Sequence, residues 1–232
     1  VTNVNIDYST NGGTGWTNIV TNESGHTAGP NTKTITVPDE NSENCLVKVS
    51  DTAHALDVYS VSAYPFAIRP VITVTQPAAG QGLAVGSNGN TVAWSLNGST
   101  KVSYVKLYYS KDGGAYTAID DSGTVSATAA YTWNNIPDII SEDVKVRVID
   151  NSNPNVYGTS ASFRVVGSIS VLSPSFGQEW EVGSSQTISW SKKGTIGSAK
   201  LYYLYKGSYV YINTVDTDLV SSYSWNPLPN RV

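Results

Sequence analysis

The sequence predicts an all-β protein made of tandem β-sandwich units, and three observations support this prediction. First, a strand–turn–strand segment at Val102 to Ile119 recurs in recognisable form at Val1 to Val20 and at Ser198 to Ile212. Second, the equivalent prolines Pro77 and Pro174 are about 97 residues apart, a period typical of small β domains. Third, short alternating segments lie between turn residues throughout, and no segment has a convincing helical period.

The best preserved copy, Val102 to Ile119, has the pattern of a β-hairpin that is exposed on one side. Its first half alternates apolar residues with an outward set, Tyr104, Lys106 and Tyr108. Asp112-Gly113-Gly114 follows, and these residues tolerate the positive φ angles of tight turns. The hairpin therefore identifies architecture, and no catalytic chemistry follows from it.

Two ungapped internal matches define the strands at the end of each repeat. Residues 38–51 match residues 137–150, and Cys45 takes the place of Val144 in that match. Because a free cysteine behaves as a small hydrophobe, we expect Cys45 to be a buried structural thiol. Residues 66–77 match residues 163–174 and run across short linkers, which favours a semi-rigid array.

These matches divide the chain into a first repeat (residues 1–69), a middle repeat (70–166) and a third repeat (167–232). The middle repeat is expected to hold about seven short strands, the number in an immunoglobulin-like, Greek-key β-sandwich. Trp94 is predicted to be a core tryptophan on the second strand of the middle repeat, and Trp190 on the second strand of the third repeat. The first repeat lacks its first two strands and the third its last two, so we expect the chain to continue in both directions, or neighbouring molecules to supply strands.

Composition narrows the class of function. Charged residues make up 14% of the chain and the net charge is −4, which argues against a nucleic-acid binder. No apolar run approaches the roughly 20 residues of a membrane span, and the single cysteine excludes an internal disulfide. A neutral surface rich in Ser, Thr, Asn, Gly and Tyr is common on secreted β proteins, so an extracellular or cell-surface location is expected.

The middle repeat also resembles a known family. Its pattern, I-T-V-x-x-P, T-V-x-W, V-x-L-x-Y-S-x-D-G-G and V-x-V-R-V-x-D, is similar to the Ig-like repeats of the Ser-Thr-rich glycosylphosphatidylinositol-anchored family related to yeast cell-wall glucan-synthesis proteins. Prokaryotic members look like tandem repeats in large secreted or surface proteins and in the tails of extracellular hydrolases. The resemblance implies an Ig-like fold and mostly non-catalytic repeats.

The hairpin turns resemble aspartate boxes, S-x-D-x-G-x-x-W, which are structural turns found far from active sites. The matching residues are Ser9, Asn11, Gly13 and Trp16 in the first repeat, and Ser110, Asp112, Gly114 and Tyr116 in the middle repeat. We interpret both as structural.

Exposed tyrosines are the main candidates for a partner-contact face: Tyr104, Tyr108, Tyr202 and Tyr211. They could form a solvated strand face, a contact with a neighbouring subunit, or a strip that stacks on sugar rings. Two sequons, at Asn22 and Asn97, are candidate glycosylation sites.

No catalytic, cofactor or metal site is predicted. The carboxylate pairs are interpreted as solvated turn residues: Asp39-Glu40, Asp120-Asp121, Glu142-Asp143, and Asp216 with Asp218. His26 and His54 lack a second ligand at metal spacing. Residues 150–155 gather oxygen ligands suited to calcium, but an Asn-rich turn is the simpler interpretation.

The sequence therefore predicts a non-enzymatic, structural segment of a long extracellular repeat protein, of the fibre, stalk, surface-layer or adhesin type. Its expected partners are copies of itself or neighbouring repeats of the same chain, with no nucleic acid and no cofactor. The alternative is an accessory carbohydrate-binding or spacer module of a secreted hydrolase, with polysaccharide as its partner.

Overall fold

The computed structural model describes residues 1–24, 29–119, 124–128 and 130–230, and these residues form strands, turns and loops without any helix. The chain is an all-β protein of tandem immunoglobulin-like sandwich units, as predicted, and among the described residues only the middle unit has both sheets with a full strand set. No helix long and apolar enough to cross a bilayer occurs in this described part.

The middle repeat is a complete two-sheet sandwich. One sheet has the order β12-β8-β6, built from β6 (Thr73–Gln76), β8 (Asn90–Ser95) and β12 (Tyr131–Trp133). The other has the order β10-β9-β13-β15-β7, built from β7 (Gly82–Ala84), β9 (Tyr104–Lys111), β10 (Thr117–Ala118), β13 (Ser141–Asp150) and β15 (Phe163–Val166). In addition β11 (Val125–Ser126) pairs with β9, and β14 (Tyr157–Thr159) pairs with β13.

The core of the middle repeat lies between these two sheets. It contains sixteen buried apolar residues, among them Val92, Val105, Val146, Trp133 and Phe163, each at most 3% exposed. Alternation along β9 and β13 directs every second side chain into this core and leaves the intervening ones at the surface. Trp94 packs against the core, half-buried, and its Nε1 donates to the carbonyl of Ala127 at 2.9 Å.

The first repeat contains one sheet in the described residues, with the order β2-β1-β3-β4 and β5 pairing with β3. Its strands are β1 (Val4–Ser9), β2 (Thr17–Glu23), β3 (Ser42–Asp51), β4 (Tyr59–Val61) and β5 (Phe66–Ile68). The register repeats that of the middle unit, since Cys45 pairs with Phe66 as Val144 pairs with Phe163. Cys45 is fully buried, as predicted from its valine-like position.

The third repeat has the other half of a sandwich and an attached hairpin. One sheet has the order β16-β17-β20, built from β16 (Ser168–Ser173), β17 (Gln186–Lys193) and β20 (Ser222–Trp225). The hairpin consists of β18 (Ser198–Tyr205) and β19 (Ser208–Asp216). Its buried core is small, namely Ile188, Trp190 and Val215, and it includes the predicted core tryptophan.

Two details differ from the sequence-based expectation. The middle repeat has ten strand segments rather than about seven, because three short segments are added: β7 pairs with β15, β11 pairs with β9, and β14 pairs with β13. Residues 34–37, the weak counterpart of β12, form no strand. In the middle repeat that strand pairs with β8, and the described part of the first repeat holds no counterpart of β8.

Candidate functional site

The first junction, between the first and middle repeats, is held by Asp39. Its carboxylate accepts hydrogen bonds from Ser99 Oγ at 2.6 Å, Thr100 N at 2.8 Å and Thr100 Oγ1 at 3.0 Å. These donors lie in the turn between β8 and β9. The bond from Ser99, followed by that from the Thr100 amide, holds the pKa of Asp39 below its ordinary value.

The second junction, between the middle and third repeats, uses the equivalent residue in the same way. Asp138 Oδ2 accepts from Thr195 N at 2.8 Å and from Thr195 Oγ1 at 2.6 Å. Thr195 lies between β17 and β18, the position that Thr100 has between β8 and β9. One carboxylate of each repeat thus binds the amide and hydroxyl of a threonine in the next repeat.

Asp39 is exposed, in keeping with its interpretation as a solvated turn residue, but its carboxylate also makes a contact between repeats, as does that of Asp138, which the sequence analysis did not single out. Each is committed to a donor set in the following repeat, because the Pro-Asp turn directs the carboxylate across the junction. A signal was present in the sequence, since Pro38-Asp39 and Pro137-Asp138 recur at the same place in an ungapped match. Recurrence alone did not indicate a contact, because the donors are far away in the chain.

A second polar network joins the first and middle repeats beside Asp39. Asn41 Nδ2 donates to Asp150 Oδ2 at 2.6 Å, and Asn153 Nδ2 donates to Asn41 Oδ1 at 2.8 Å and to Glu43 Oε1 at 3.0 Å. Glu43 also accepts two bonds from Arg69, at 2.8 and 2.6 Å. Arg69, followed by Asn153, lowers the pKa of Glu43 to about 2.

This network explains the Asn-rich turn that was considered for calcium. Asp150 is 2% exposed, and its oxygens accept from Asn41 and from the amide and hydroxyl of Ser152. Among the described residues no group of three or more His, Cys, Asp or Glu side chains is placed to hold a metal ion. Residues of this turn contact the first repeat through Asp150 and Asn153.

Beside the carboxylate contact, the second junction has an apolar side chain at the position where the first has a polar one. Ile140, the counterpart of Asn41, packs against the backbone of Gly167 and Gly194. A Cβ at either glycine would lie 2.9 Å from Ile140 Cδ1, and Gly194 has a φ of +86°. Glycine is favoured at Gly167 because a Cβ there would also lie 2.9 Å from the backbone oxygen of Lys193, and at Gly194 because of its positive φ.

The predicted tyrosine face of the middle repeat lies on the outer side of β9. Tyr104 is 55% exposed and Tyr108 is half-buried. Next to them on β13, the Arg147 guanidinium lies over the ring of Tyr116 at 3.9 Å and over that of Tyr157 at 4.7 Å. The arginine is thus held between two tyrosines beside the predicted face.

The tyrosine face of the third repeat is more open and more aromatic. Tyr202 and Tyr211 are 47% and 54% exposed, and their ring centroids are 5.7 Å apart. Tyr209, which the sequence analysis did not single out, is 78% exposed and lies 6.4 Å from Tyr202. The structure brings Tyr202 and Tyr211 together and places Tyr104 and Tyr108 on another repeat; contact with a partner stays a prediction.

The two sequon asparagines differ in how their side chains are used. Asn97 Nδ2 donates to Val71 O at 3.2 Å and to Thr73 Oγ1 at 3.0 Å, and the hydroxyl of its sequon serine binds Asp39. A glycan at Asn97 would take one of those donors at the first junction. Asn22 lies at the end of β2 with a φ of +58°, and its Oδ1 accepts from Asn3. Glycosylation of either stays a prediction.

The hairpin turn of the first repeat is closed by its own residues. Ser9 Oγ accepts from the Gly13 amide at 2.9 Å, and Asn11 Oδ1 accepts from the Gly15 amide at 2.8 Å. Trp16 lies beneath Lys48, whose Nζ is 4.8 Å from the ring centroid. These contacts agree with a structural turn.

The remaining carboxylates have local partners or lie elsewhere. Asp143 binds the hydroxyl of Ser162, which lowers the pKa of Asp143, and Asp218 pairs with Lys192. Asp120-Asp121 and His26 lie outside the described residues. His54 binds Asp51 through Nδ1 at 2.7 Å, within the first repeat.

Comparison with protein-family models and with curated proteins finds no match. Among solved structures, the chain is similar to the fibronectin(III)-like modules of CbhA from Clostridium thermocellum, at 15% identity over 68% of this chain and 80% of that one, with a TM-score of 0.29. It is also similar to the FN1–FN3 domains of chicken CNTN1, at 14% identity over 98% of this chain and 80% of that one, with a TM-score of 0.28. The assignment of the fold here rests on strand order and register, and the family resemblance seen in the sequence stays a prediction.

Proposed function

We propose that this chain is a non-catalytic structural segment of a long extracellular repeat protein, in which Ig-like units are held at fixed angles to one another. The observation that carries the proposal is the repeated junction contact, in which Asp39 binds Thr100 and Asp138 binds Thr195. A contact that recurs at the same place in successive repeats is a property of the array rather than of one unit.

The geometry of the junctions supports a fixed angle. Hydrogen bonds to a carboxylate from one backbone amide and one hydroxyl are directional, so they restrain rotation as well as separation. The strands on either side of the second junction, β15 and β16, are separated by Gly167 alone, and a linker this short cannot swing freely. The low fraction of charged residues, 14%, supports an extracellular setting for such an array.

Residual dipolar couplings measured by NMR test this proposal on the whole chain. We expect the first and middle repeats of the unmodified protein to report alignment tensors of equal magnitude and common orientation, because they tumble as one body. Asp39→Ala removes every bond of this carboxylate but leaves those of Asn41 and Asn153, so the two tensors should come to differ in orientation although the repeats remain in contact. Asp57→Ala removes an exposed carboxylate of the first repeat away from the junction and serves as the control.

Two results would contradict the proposal. Unequal tensors in the unmodified chain would mean that the repeats already move independently. Equal tensors in Asp39→Ala would mean that its carboxylate does not set the angle between the repeats.

A carbohydrate-binding or spacer module of a secreted hydrolase is the second candidate, and the exposed tyrosine cluster of the third repeat favours it. The rings of Tyr209 and Tyr211 make angles of 74° and 70° with that of Tyr202, so they form a notch rather than a flat platform. The unmodified protein should then migrate more slowly in affinity gels that contain a soluble polysaccharide. This retardation should disappear in Tyr202→Ala and persist in Tyr64→Ala, the control, because Tyr64 is an 83% exposed tyrosine of the first repeat. Equal migration of all variants, with and without polysaccharide, would reject this candidate.

A further inference from the structure

The outer face of the middle repeat carries an arginine that has no carboxylate partner in the described part of the chain. Arg147 lies on β13, points away from the core and is opposite Tyr108 of β9. The other two described arginines, Arg69 and Arg164, each pair with a glutamate. The chain has 18 acidic and 14 basic residues, so the lack of a carboxylate beside Arg147 is a local feature and not a general shortage of acidic groups.

Neighbouring side chains hold the guanidinium of Arg147 in place without using all of its donors. It lies over the ring of Tyr116 at 3.9 Å and over that of Tyr157 at 4.7 Å. Its Nε donates to Thr159 Oγ1 at 3.2 Å, and its two Nη atoms have no acceptor among the described residues. A guanidinium that is held in this way is preorganised, and its remaining donors match the two oxygens of a carboxylate.

The groups around Arg147 form an extended aromatic and basic surface. Lys106 lies on the same side of the sheet and likewise has no carboxylate partner in the described ranges. Tyr104 and Tyr157 are 55% and 51% exposed. Tyr104 and Tyr108 are about 13 Å apart along β9, since each residue of a strand rises about 3.3 Å, and this length suits a polymer better than a small anion. We name this surface the Arg147 face, and it consists of Tyr104, Lys106, Tyr108, Tyr116, Arg147 and Tyr157.

The first repeat has an equivalent cation and ring but supplies its own carboxylate. Lys48 takes the place of Arg147 in the ungapped match, and its Nζ lies 4.8 Å from the ring centroid of Trp16. Lys48 also pairs with Asp7 at 3.1 Å. Asp7 lies opposite Lys48 in the same way as Tyr108 lies opposite Arg147. The position that neutralises the cation in the first repeat is therefore a tyrosine in the middle repeat.

We propose that the Arg147 face binds an acidic polysaccharide, with the carboxylate of a uronate unit on the Arg147 guanidinium and the sugar rings on the neighbouring tyrosines. A uronate combines the two groups that this face can recognise. One is a planar carboxylate, which a guanidinium binds through two parallel hydrogen bonds, and the other is a ring that packs on an aromatic side chain. The unpaired cations favour such a ligand over a neutral glycan, and the tyrosines favour it over an acidic peptide, which has no ring to place on them.

Isothermal titration calorimetry of the whole chain with three polymers separates these classes of ligand. Polygalacturonate has carboxylates on sugar rings, its methyl ester has the same rings without the charge, and poly-glutamate has carboxylates without rings. We expect polygalacturonate to bind and to shift the Nε–H resonance of Arg147. The other two polymers should bind at least tenfold more weakly, because each lacks either the charge-assisted hydrogen bonds or the stacking.

Three variants locate the site. Arg147→Gln removes the guanidinium and should lower the affinity for polygalacturonate at least tenfold. Tyr108→Asp gives the middle repeat the arrangement of the first, so it should lower the affinity by a similar factor while the arginine stays in place. Lys111→Gln is the matched control, because it removes one positive charge from an exposed position at the end of the same strand, and it should change the affinity by less than about twofold.

A lack of polygalacturonate binding, or unchanged affinity in Arg147→Gln, would overturn the proposal. Equal binding of the methyl ester would overturn it in favour of stacking alone, and equal binding of poly-glutamate in favour of an acidic peptide. An equal loss in Lys111→Gln would reduce the effect to net charge, and a loss in Tyr202→Ala alone would place the ligand on the third repeat. The site lies within the middle repeat, so none of these outcomes depends on the angle between repeats or decides the structural role proposed above.

Discussion

The two equivalent phenylalanines Phe163 and Phe66 should differ in what their loss costs, because they stand in complete and incomplete cores. They have the same partner register, with Phe163 opposite Val144 and Phe66 opposite Cys45. Phe163 is fully buried, whereas Phe66 is 41% exposed. Substitution of each by alanine therefore compares one side chain in two surroundings.

For Phe163→Ala, the lost transfer free energy is about 2 kcal/mol, and a residual void of roughly 80 Å³ adds about 2 kcal/mol. The free energy of unfolding of the middle repeat should fall by about 4 kcal/mol in total, within the range typical of buried Phe→Ala changes. For Phe66→Ala, about three fifths of the side chain is buried and no closed cavity forms, so the expected loss is about 1 to 2 kcal/mol.

Native-state hydrogen exchange read by mass spectrometry suits this comparison, because unfolding of a chain with several units is not two-state. We expect amides of β13 to exchange about a thousandfold faster in Phe163→Ala, and amides of β3 about tenfold faster in Phe66→Ala. Phe163→Leu, which keeps most of the side-chain volume, should lower the free energy of unfolding by only about 1 kcal/mol. It serves as the control in which the middle repeat remains folded. Equal acceleration in the two alanine variants would refute the argument from unequal cores.

Two further predictions concern the first junction and the middle repeat. Because the folded pKa of Glu43 is lowered from 4.5 to about 2, its contribution to the stability of the junction is present above pH 4.5 and is lost as the pH falls towards 2. The chemical shift of the Glu43 carboxyl carbon should therefore titrate with a midpoint at that low pH. A midpoint near 4.5 would rule out the bond with Arg69. Gly158→Ala should destabilise the middle repeat by about 1 to 3 kcal/mol by overpacking, because its Cβ would lie 2.2 Å from the backbone oxygen of Ile72. Gly82→Ala is the matched control, since the atom nearest to its Cβ would be 3.7 Å away. Equal urea midpoints for the two variants would contradict this reasoning.

The sequence was sufficient for the fold because each sandwich strand carries its own alternation. Val144, Val146 and Val148 read as an inward face, and the ungapped match then placed Cys45 in the same face of the first repeat. Local alternation and repeat matching need no knowledge of distant contacts, so they fixed strand existence well. They did not reveal the short segments β11 and β14, because two or three residues are too few to show an alternation.

The junctions could not be predicted in the same way, because their donors and acceptors are far apart in the chain. Asp39 and Thr100 are separated by a whole strand set, and neither residue differs in type from an ordinary turn residue. The tyrosine faces were visible as alternation, yet nothing in the residue pattern indicated that Tyr209 lies beside Tyr202. That proximity depends on the register shift between β18 and β19 after Leu201.

The two junctions share one carboxylate contact but should respond differently to their surroundings. At the first, Asn41, Glu43 and Asn153 add polar bonds near solvent, and these bonds weaken with acid as Glu43 is protonated. At the second, Ile140 packs on Gly167 and Gly194, and burial of an aliphatic side chain depends little on pH. As the pH falls, an array built from such repeats should therefore lose the fixed angle between units first at its polar junctions, while the apolar junctions keep neighbouring units aligned.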